Sequence, residues 1–200
     1  MSSAPSRNSR TPDEPLAVAS DIAVARIVRE LRGLDTLSPV VLIDGRSGAG
    51  KSRLAANLVR QWPAAGPVQL IALDSIYPGW DGLASGVEIS RQDVLVPHAR
   101  GLIGVWRRHD WETDAPAEAY AVAPWLPLIM EGAGIITPQT RRLCDVAIWV
   151  EAPEESRKRR ALLRDGDSYR LQWDRWAAQE REHIRVDDPA GQATLSVSFP

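Results

Sequence analysis

A three-layer α/β/α fold around a mostly parallel, five-stranded sheet is the architecture this sequence predicts, on three observations. Apolar runs of strand length alternate with longer helical patterns along the chain. Gly45, Asp74 and Glu131 stand at or just past the carboxyl ends of three of those runs. The first run opens directly into a glycine-rich loop, GRSGAGKS at residues 45–52, and then into a helix. Strands joined by helices need right-handed crossovers, which lay the strands parallel and cover both faces of the sheet. In such sheets ligands gather at the carboxyl ends of the strands.

Taken in order, residues 1–15 (MSSAPSRNSRTPDEP) are rich in Ser, Pro and Arg and predict a disordered tail. Residues 16–200 then form a single domain. Ser20 is placed to cap a helix whose apolar positions Val24, Ile27, Val28, Leu31 and Leu34 recur at helical spacing. VVLID (40–44) predicts a buried strand and residues 51–61 a helix, stopped by Pro63. Further strands are predicted at 68–73, 126–131, 145–151 and 193–198, with helices over 87–100 and 138–144. Residues 104–123 have the character of an inserted hairpin on the substrate side. From residue 154 a long helical pattern runs to about His183 with a break at Asp165–Ser168, and its first part, 154–170, is placed to act as a lid.

Composition excludes several classes. The 200 residues carry 24 basic and 26 acidic side chains, a formal charge of -2, without the basic excess of a nucleic-acid-coating protein. The longest nearly uncharged apolar run, 121–130, is about ten residues with two prolines, too short to span a bilayer. The first residues lack the apolar stretch of a secretory signal, so a cytoplasmic location is expected. One cysteine, Cys144, excludes an intrachain disulfide.

The loop at 45–52 matches G-x-x-x-x-G-K-[ST] in the strand–loop–helix setting its chemistry needs. Its glycines let successive amide N–H groups of Gly45, Arg46, Ser47, Gly48, Ala49 and Gly50 turn inward on phosphate oxygens. The helix that follows adds its N-terminal donors and positive dipole end. Lys51 brings a cation to the β- and γ-phosphates and Ser52 a hydroxyl to Mg²⁺. Lysine is rare here, with Lys51 and Lys158 set against 22 arginines, so a chance match is on the order of one in a thousand. The ligand implied is ATP with Mg²⁺. Neither lysine follows an asparagine, so the Asn-Lys-x-Asp reader of guanine is absent.

On the acceptor side, Asp74 at the second strand end can orient a substrate hydroxyl and take its proton, or begin the turn into Ser75 and Pro78-Gly79. Glu131 at the third can hold the hydration shell of Mg²⁺, or cap the next turn. Tyr77 and Trp80 can stack on a planar ligand, or belong to the core. Asp81 can bind ligand hydroxyls or cap its own turn. His109 falls in the presumed substrate region, and Asp44 adjoins the loop as a candidate tether. Trp173 and Trp176 sit at helical spacing and are expected to pack the last helix onto the sheet. Arg157, Arg160 and Arg164 recur at i, i+3 and i+7 and so share one helix face. They can close over the transferring phosphoryl group, or lie on a solvated face paired with Glu154 and Glu155.

Over residues 38–184 the chain resembles the uridine kinase branch of the P-loop small-molecule kinases. The likeness rests on GRSGAGKS, on Asp74-Ser75-Ile76-Tyr77, on Ile129-Met130-Glu131-Gly132, and on Arg157, Arg160, Arg164 and Asp165 at lid spacing. It implies a P-loop NTPase fold of the nucleoside or nucleotide kinase type with a lid helix. It further implies Asp74 as base, Lys51 and Ser52 as ligands of ATP and Mg²⁺, and lid arginines over the phosphates. The expected activity is transfer of the γ-phosphate of ATP to a hydroxyl of a small molecule, a nucleoside first. The chain departs from that branch at His109-Asp110-Trp111, where a pyrimidine-reading segment would stand, and at Ser75 in place of a second aspartate. Two rival readings stay open: a nucleoside monophosphate kinase, with Arg91, Arg100, Arg107 and Arg108 about the acceptor phosphate, and a non-catalytic ATP-binding sensor.

Overall fold

The computed structural model describes residues 14–200. Residues 1–13 of the expected tail lie outside the described residues, whereas Glu14 and Pro15 already belong to the first helix, α1 (Glu14–Arg32). The helix starts ahead of Ser20 because its apolar stripe starts at Leu16, which is buried with Ala23, Val24, Ile27 and Leu31. Pro15 is tolerated in a first turn, where its missing N–H has no helical partner to lose. Ser20, placed by sequence as a cap, is instead buried and accepts a hydrogen bond from Asn57 Nδ2 (3.0 Å).

Five strands form the central sheet: β1 (Val40–Gly45), β2 (Gln69–Ala72), β5 (Leu128–Glu131), β6 (Val146–Glu151) and β7 (Leu195–Ser198). Their order is β2-β5-β1-β6-β7, and every pair is parallel. Successive residues of the buried strands feed opposite layers. Leu42, Leu128, Met130 and Ala147 pack into one core, whereas Val41, Ile43, Ile129, Val146 and Ile148 pack into the other. The second core is closed by α1 and by α2 (Lys51–Arg60). This division explains why the strands read as continuous apolar runs rather than alternating ones.

The opposite layer holds α3 (Leu83–Ile89), which continues through a widened π turn at Ser90–Leu95 into α4 (Val96–Ala99). Pro97 has no N–H to return to the carbonyl four residues back, and the turn widens ahead of it. The hairpin β3 (Gly104–Asp110) and β4 (Ala115–Val122) is antiparallel and buries Trp106 and Val122 in this core. A short helix, α5 (Pro138–Arg141), precedes β6, and α7 (Pro189–Gln192) precedes β7.

The long helix α6 (Glu154–Asp187) is broken at Gly166, whose φ of 70° and ψ of -154° are non-helical. Trp176 packs the later arm onto the sheet-facing core. Trp173 does not follow it there: it packs with Tyr169 and Ala161, joining the two arms of α6 across the break. No helix among the described residues is long and apolar enough to cross a membrane.

Candidate functional site

Placing β5 between β2 and β1 puts three strand ends side by side. Glu131 is level with Ala72 of β2 and Ile43 of β1. Asp74 follows two residues beyond β2 in a 3₁₀ turn, Leu73–Ser75, and the glycine-rich loop follows β1. The carboxyl edge of the sheet therefore gathers the loop and both carboxylates without any long-range search.

Within the loop, Gly48 has φ +74°, and a Cβ there would sit 2.1 Å from the Arg157 carbonyl oxygen. Gly50 caps α2 in the left-handed region (φ 107°) and gives the first-turn N–H groups of that helix no side-chain cap. Those donors are oriented for an anion. Gly48→Ala is expected to lower unfolding stability by about 2–4 kcal/mol, because a backbone oxygen rather than a flexible side chain blocks the new methyl. Denaturant unfolding of the variant measures the loss.

One narrow cleft is lined by Lys51, Ser52, Asp74, Glu131 and Arg164. Lys51 is buried, and its Nζ donates to the Gly45 (2.7 Å) and Arg46 (3.3 Å) carbonyls of its own loop. The Ser52 hydroxyl and the Glu131 carboxyl line the cleft together. Burial raises the Glu131 carboxyl above its ordinary value, against the opposing pull of the Lys51 charge and the Ser52 hydroxyl. A hydroxyl beside a carboxylate is a hard-oxygen pair that suits Mg²⁺. Among the described residues no three His, Cys, Asp or Glu side chains gather to hold a metal unaided. Arg164 Nη2 reaches to 3.9 Å from Asp74 Oδ2, both side chains being about half exposed.

The lid arginines part company. Arg157 is buried, donating to the Ser47 (3.3 Å) and Ala152 (3.2 Å) carbonyls. Arg160 Nε donates to the Gly48 carbonyl (2.8 Å) and its Nη1 to the Pro200 carbonyl (2.7 Å). Both lie against the outer side of the loop, and Arg164 is the one of the three that enters the cleft. Arg46 and Arg157 border a separate cavity of about 610 Å³ with Trp149, Pro153 and Phe199.

The loop is held from behind by Asp44, the expected tether, and by Glu180, Tyr169 and His183, roles the sequence reading missed. Glu180 of α6, buried, accepts the Ser47 N–H (2.5 Å) and pairs with Arg46 Nε (3.1 Å). Tyr169 Oη donates to Ser47 Oγ (2.6 Å). Asp44, with no exposed surface, accepts the N–H groups of Gly45 (2.6 Å), Gly134 (2.9 Å) and Ile136 (2.8 Å), so it tethers the loop after β1 to the loop after β5. His183 completes this network, with Nε2 3.0 Å from Asp44 and Nδ1 2.9 Å from Asp187. Glu180, His183 and Asp187 stand at i, i+3 and i+7, the same spacing that singled out the arginines, and that spacing was the available signal.

Burial alone would lower the His183 pKa, but hydrogen bonds and charges from Asp44 and Asp187 together raise it above its ordinary value. A raised folded-state value stabilises the protein fully below the unfolded value of about 6.5, and the gain is lost as pH climbs through the folded value. His183→Gln is therefore expected to lower stability by about 1–3 kcal/mol at pH 6, with the gap from wild type shrinking toward pH 9. Thermal unfolding of both proteins across that range reads the trend.

Beside the cleft opens a cavity of about 400 Å³, lined by Tyr77, Trp80, Trp111, Tyr169 and Trp176 together with Ser47, Asp74 and Arg164. Trp80 is the hub, its ring centroid 4.8 Å from Trp111, 5.5 Å from Tyr169 and 6.4 Å from Trp176. Of the four residues expected to meet substrate, Tyr77 and Trp80 line this space. Asp81 is instead held by Arg175 on the surface. His109, buried, turns its Nε2 toward Asp114 (3.1 Å) and sets its ring edge against Trp111.

A parallel sheet of this order, a phosphate-type loop after β1 and a helical arm folded over that loop define a P-loop kinase-type fold. No family model matches the sequence, and no curated protein matches it. Among solved structures the chain is similar to a protein named "Possible Uridine Kinase" from Bacillus stearothermophilus. The TM-score is 0.66 at 18% identity, over 91% of this chain and 98% of that one. It is also similar to a "putative fructose transport system kinase" from Silicibacter sp. TM1040, with a TM-score of 0.50 at 18% identity, over 88% and 98% of the two chains. At this identity the likenesses establish the fold.

Proposed function

We propose that the protein is an ATP- and Mg²⁺-dependent phosphotransferase that moves the γ-phosphoryl group to a hydroxyl of a small molecule. The observation that carries this reading is the convergence of Lys51, Ser52, Asp74, Glu131 and Arg164 on one cleft from four separate elements. The loop amides and the N-terminus of α2 bind the phosphate chain, and Lys51 adds a positive charge to it. The nucleoside half of ATP lies in the cavity bordered by Arg46 and Arg157. Ser52 and Glu131 would hold Mg²⁺, which when bound neutralises charge on the phosphate oxygens. Asp74 orients the acceptor hydroxyl and takes its proton, while Arg164 balances charge on the group in transit. The two kinase-named neighbours agree with this chemistry, and the first makes a nucleoside the reference acceptor against which others are compared.

A monophosphate kinase would need arginines about its acceptor phosphate. Arg91 is bound by Glu88, Arg108 by Glu118 and Asp110, and Arg107 donates to the Ala117 carbonyl. None of these, nor Arg100, lines the cleft or the aromatic cavity. Hydroxyl acceptors are accordingly favoured. Incubating the protein with γ-labelled ATP, Mg²⁺ and a metabolite pool is expected to yield a labelled phosphate monoester. Label confined to phosphate-terminated acceptors, or ATP bound without transfer to anything, would contradict the proposal.

A further inference from the structure

The aromatic cavity and the phosphate cleft share Ser47, Asp74, Arg164 and Trp176, so they form one continuous space with the reacting end at Asp74. The rest of that space is ring surface. Three of the five polar groups on its aromatic residues are already engaged by the protein. Tyr77 Oη donates to the Ala133 carbonyl (2.7 Å), Trp111 Nε1 to the Asp74 carbonyl (2.8 Å), and Tyr169 Oη to Ser47 Oγ (2.6 Å). Among the described residues lining the cavity there is no Asn or Gln. A nucleobase entering here would meet mostly aromatic faces, with few partners for its donors and acceptors, which selects against it. A quaternary ammonium is disfavoured for a different reason. The one carboxylate in the lining, Asp74, already has the Arg164 guanidinium 3.9 Å away, and that cation faces the same space.

Resting on the phosphotransfer reading above, we infer that the acceptor is a neutral aryl alcohol. Its one- or two-ring aromatic body packs among Trp80, Trp111, Tyr169 and Trp176 through offset and edge-to-face contacts, and its hydroxyl reaches Asp74. About 400 Å³ suffices for such a body. In the reaction the alcohol oxygen forms a bond to the γ-phosphorus and the bond from that phosphorus to the β,γ-bridging oxygen breaks. ADP leaves, and the hydroxyl proton passes to Asp74. Trp111 is the specificity device with the clearest sequence address. It sits at the tip of the inserted hairpin, 39% exposed, with His109 set edge-on behind it.

The test is an acceptor panel with the full chain and MgATP: indole-3-ethanol and 2-phenylethanol against uridine, cytidine, glycerol and choline. Product is read by mass, and binding by quenching of tryptophan fluorescence. The aryl alcohols are expected to exceed uridine and choline at least 100-fold in kcat/KM. Trp111→Ala is expected to raise KM for indole-3-ethanol at least tenfold while leaving KM for ATP unchanged. Trp80→Ala should act likewise, and Trp111, on the exposed hairpin tip, serves if the hub variant fails to fold. Uridine, cytidine, glycerol or choline as the better acceptor would overturn the aryl-alcohol assignment and leave the phosphotransfer reading standing. Aryl alcohols that neither bind nor accept phosphate, or whose KM ignores Trp111→Ala, would also overturn it. ATP bound with no transfer to any acceptor, in this panel or in a metabolite pool, would remove both.

Discussion

Lys51→Ala is expected to abolish phosphoryl transfer, lowering kcat/KM for ATP by about 10³-fold or more, with the fold retained. The Lys51 ammonium is a cation supplied by the loop itself, and it is buried with its Nζ donating to the Gly45 and Arg46 carbonyls. Removing it leaves two carbonyl oxygens facing the phosphate chain with no intervening charge. Lys51→Arg should not rescue activity, because a planar fork cannot replace a compact ammonium in so narrow a cleft. Initial-rate kinetics together with an unfolding curve separate loss of chemistry from loss of structure. Transfer at an undiminished rate would take the loop out of the reaction.

Asp74→Asn should lower kcat by about 10²–10⁴-fold while KM for ATP changes little. The amide keeps the shape of the carboxylate and loses its basicity. Asp74 stands in the turn beyond β2 rather than in the loop itself, and its side chain is 62% exposed, so the substitution carries little penalty in folding. The Trp111 contact survives, because it is made to the Asp74 backbone carbonyl. A loss of ATP affinity matching the loss of turnover would instead assign Asp74 to the nucleotide side of the cleft.

Much of this arrangement is legible in the sequence, for identifiable reasons. β1, β5 and β6 are covered on both faces, so Leu42, Met130 and Ile148 stand in unbroken apolar runs. The phosphate loop is local: its glycines, Lys51 and Ser52 are neighbours in the chain. Asp74 and Glu131 are found because strand ends converge on one edge of a parallel sheet. What stays hidden depends on where α6 lies once folded. Glu180 meets Ser47 across 133 residues and His183 meets Asp44 across 139, and nothing near Ser47 or Asp44 signals a partner so distant. The arginine face of α6 is visible as a face, but its targets are not. Arg157 and Arg160 reach loop carbonyls, which every residue carries, instead of the phosphates that their charge suggests. The same holds for Trp173: the break near Gly166 is legible in the sequence, but the contact with Ala161 across it is not.

The central claim is that one cleft both grips a nucleotide triphosphate and presents a base to an acceptor hydroxyl. A ³¹P NMR time course of MgATP with the protein and a mixture of hydroxylated small molecules tests it most directly. The predicted result is a new phosphomonoester resonance that grows as the γ-phosphate signal falls, and that is absent with Lys51→Ala and suppressed with Asp74→Asn. A γ-phosphate signal that persists, or decays to inorganic phosphate alone at the same rate in all three proteins, would contradict it.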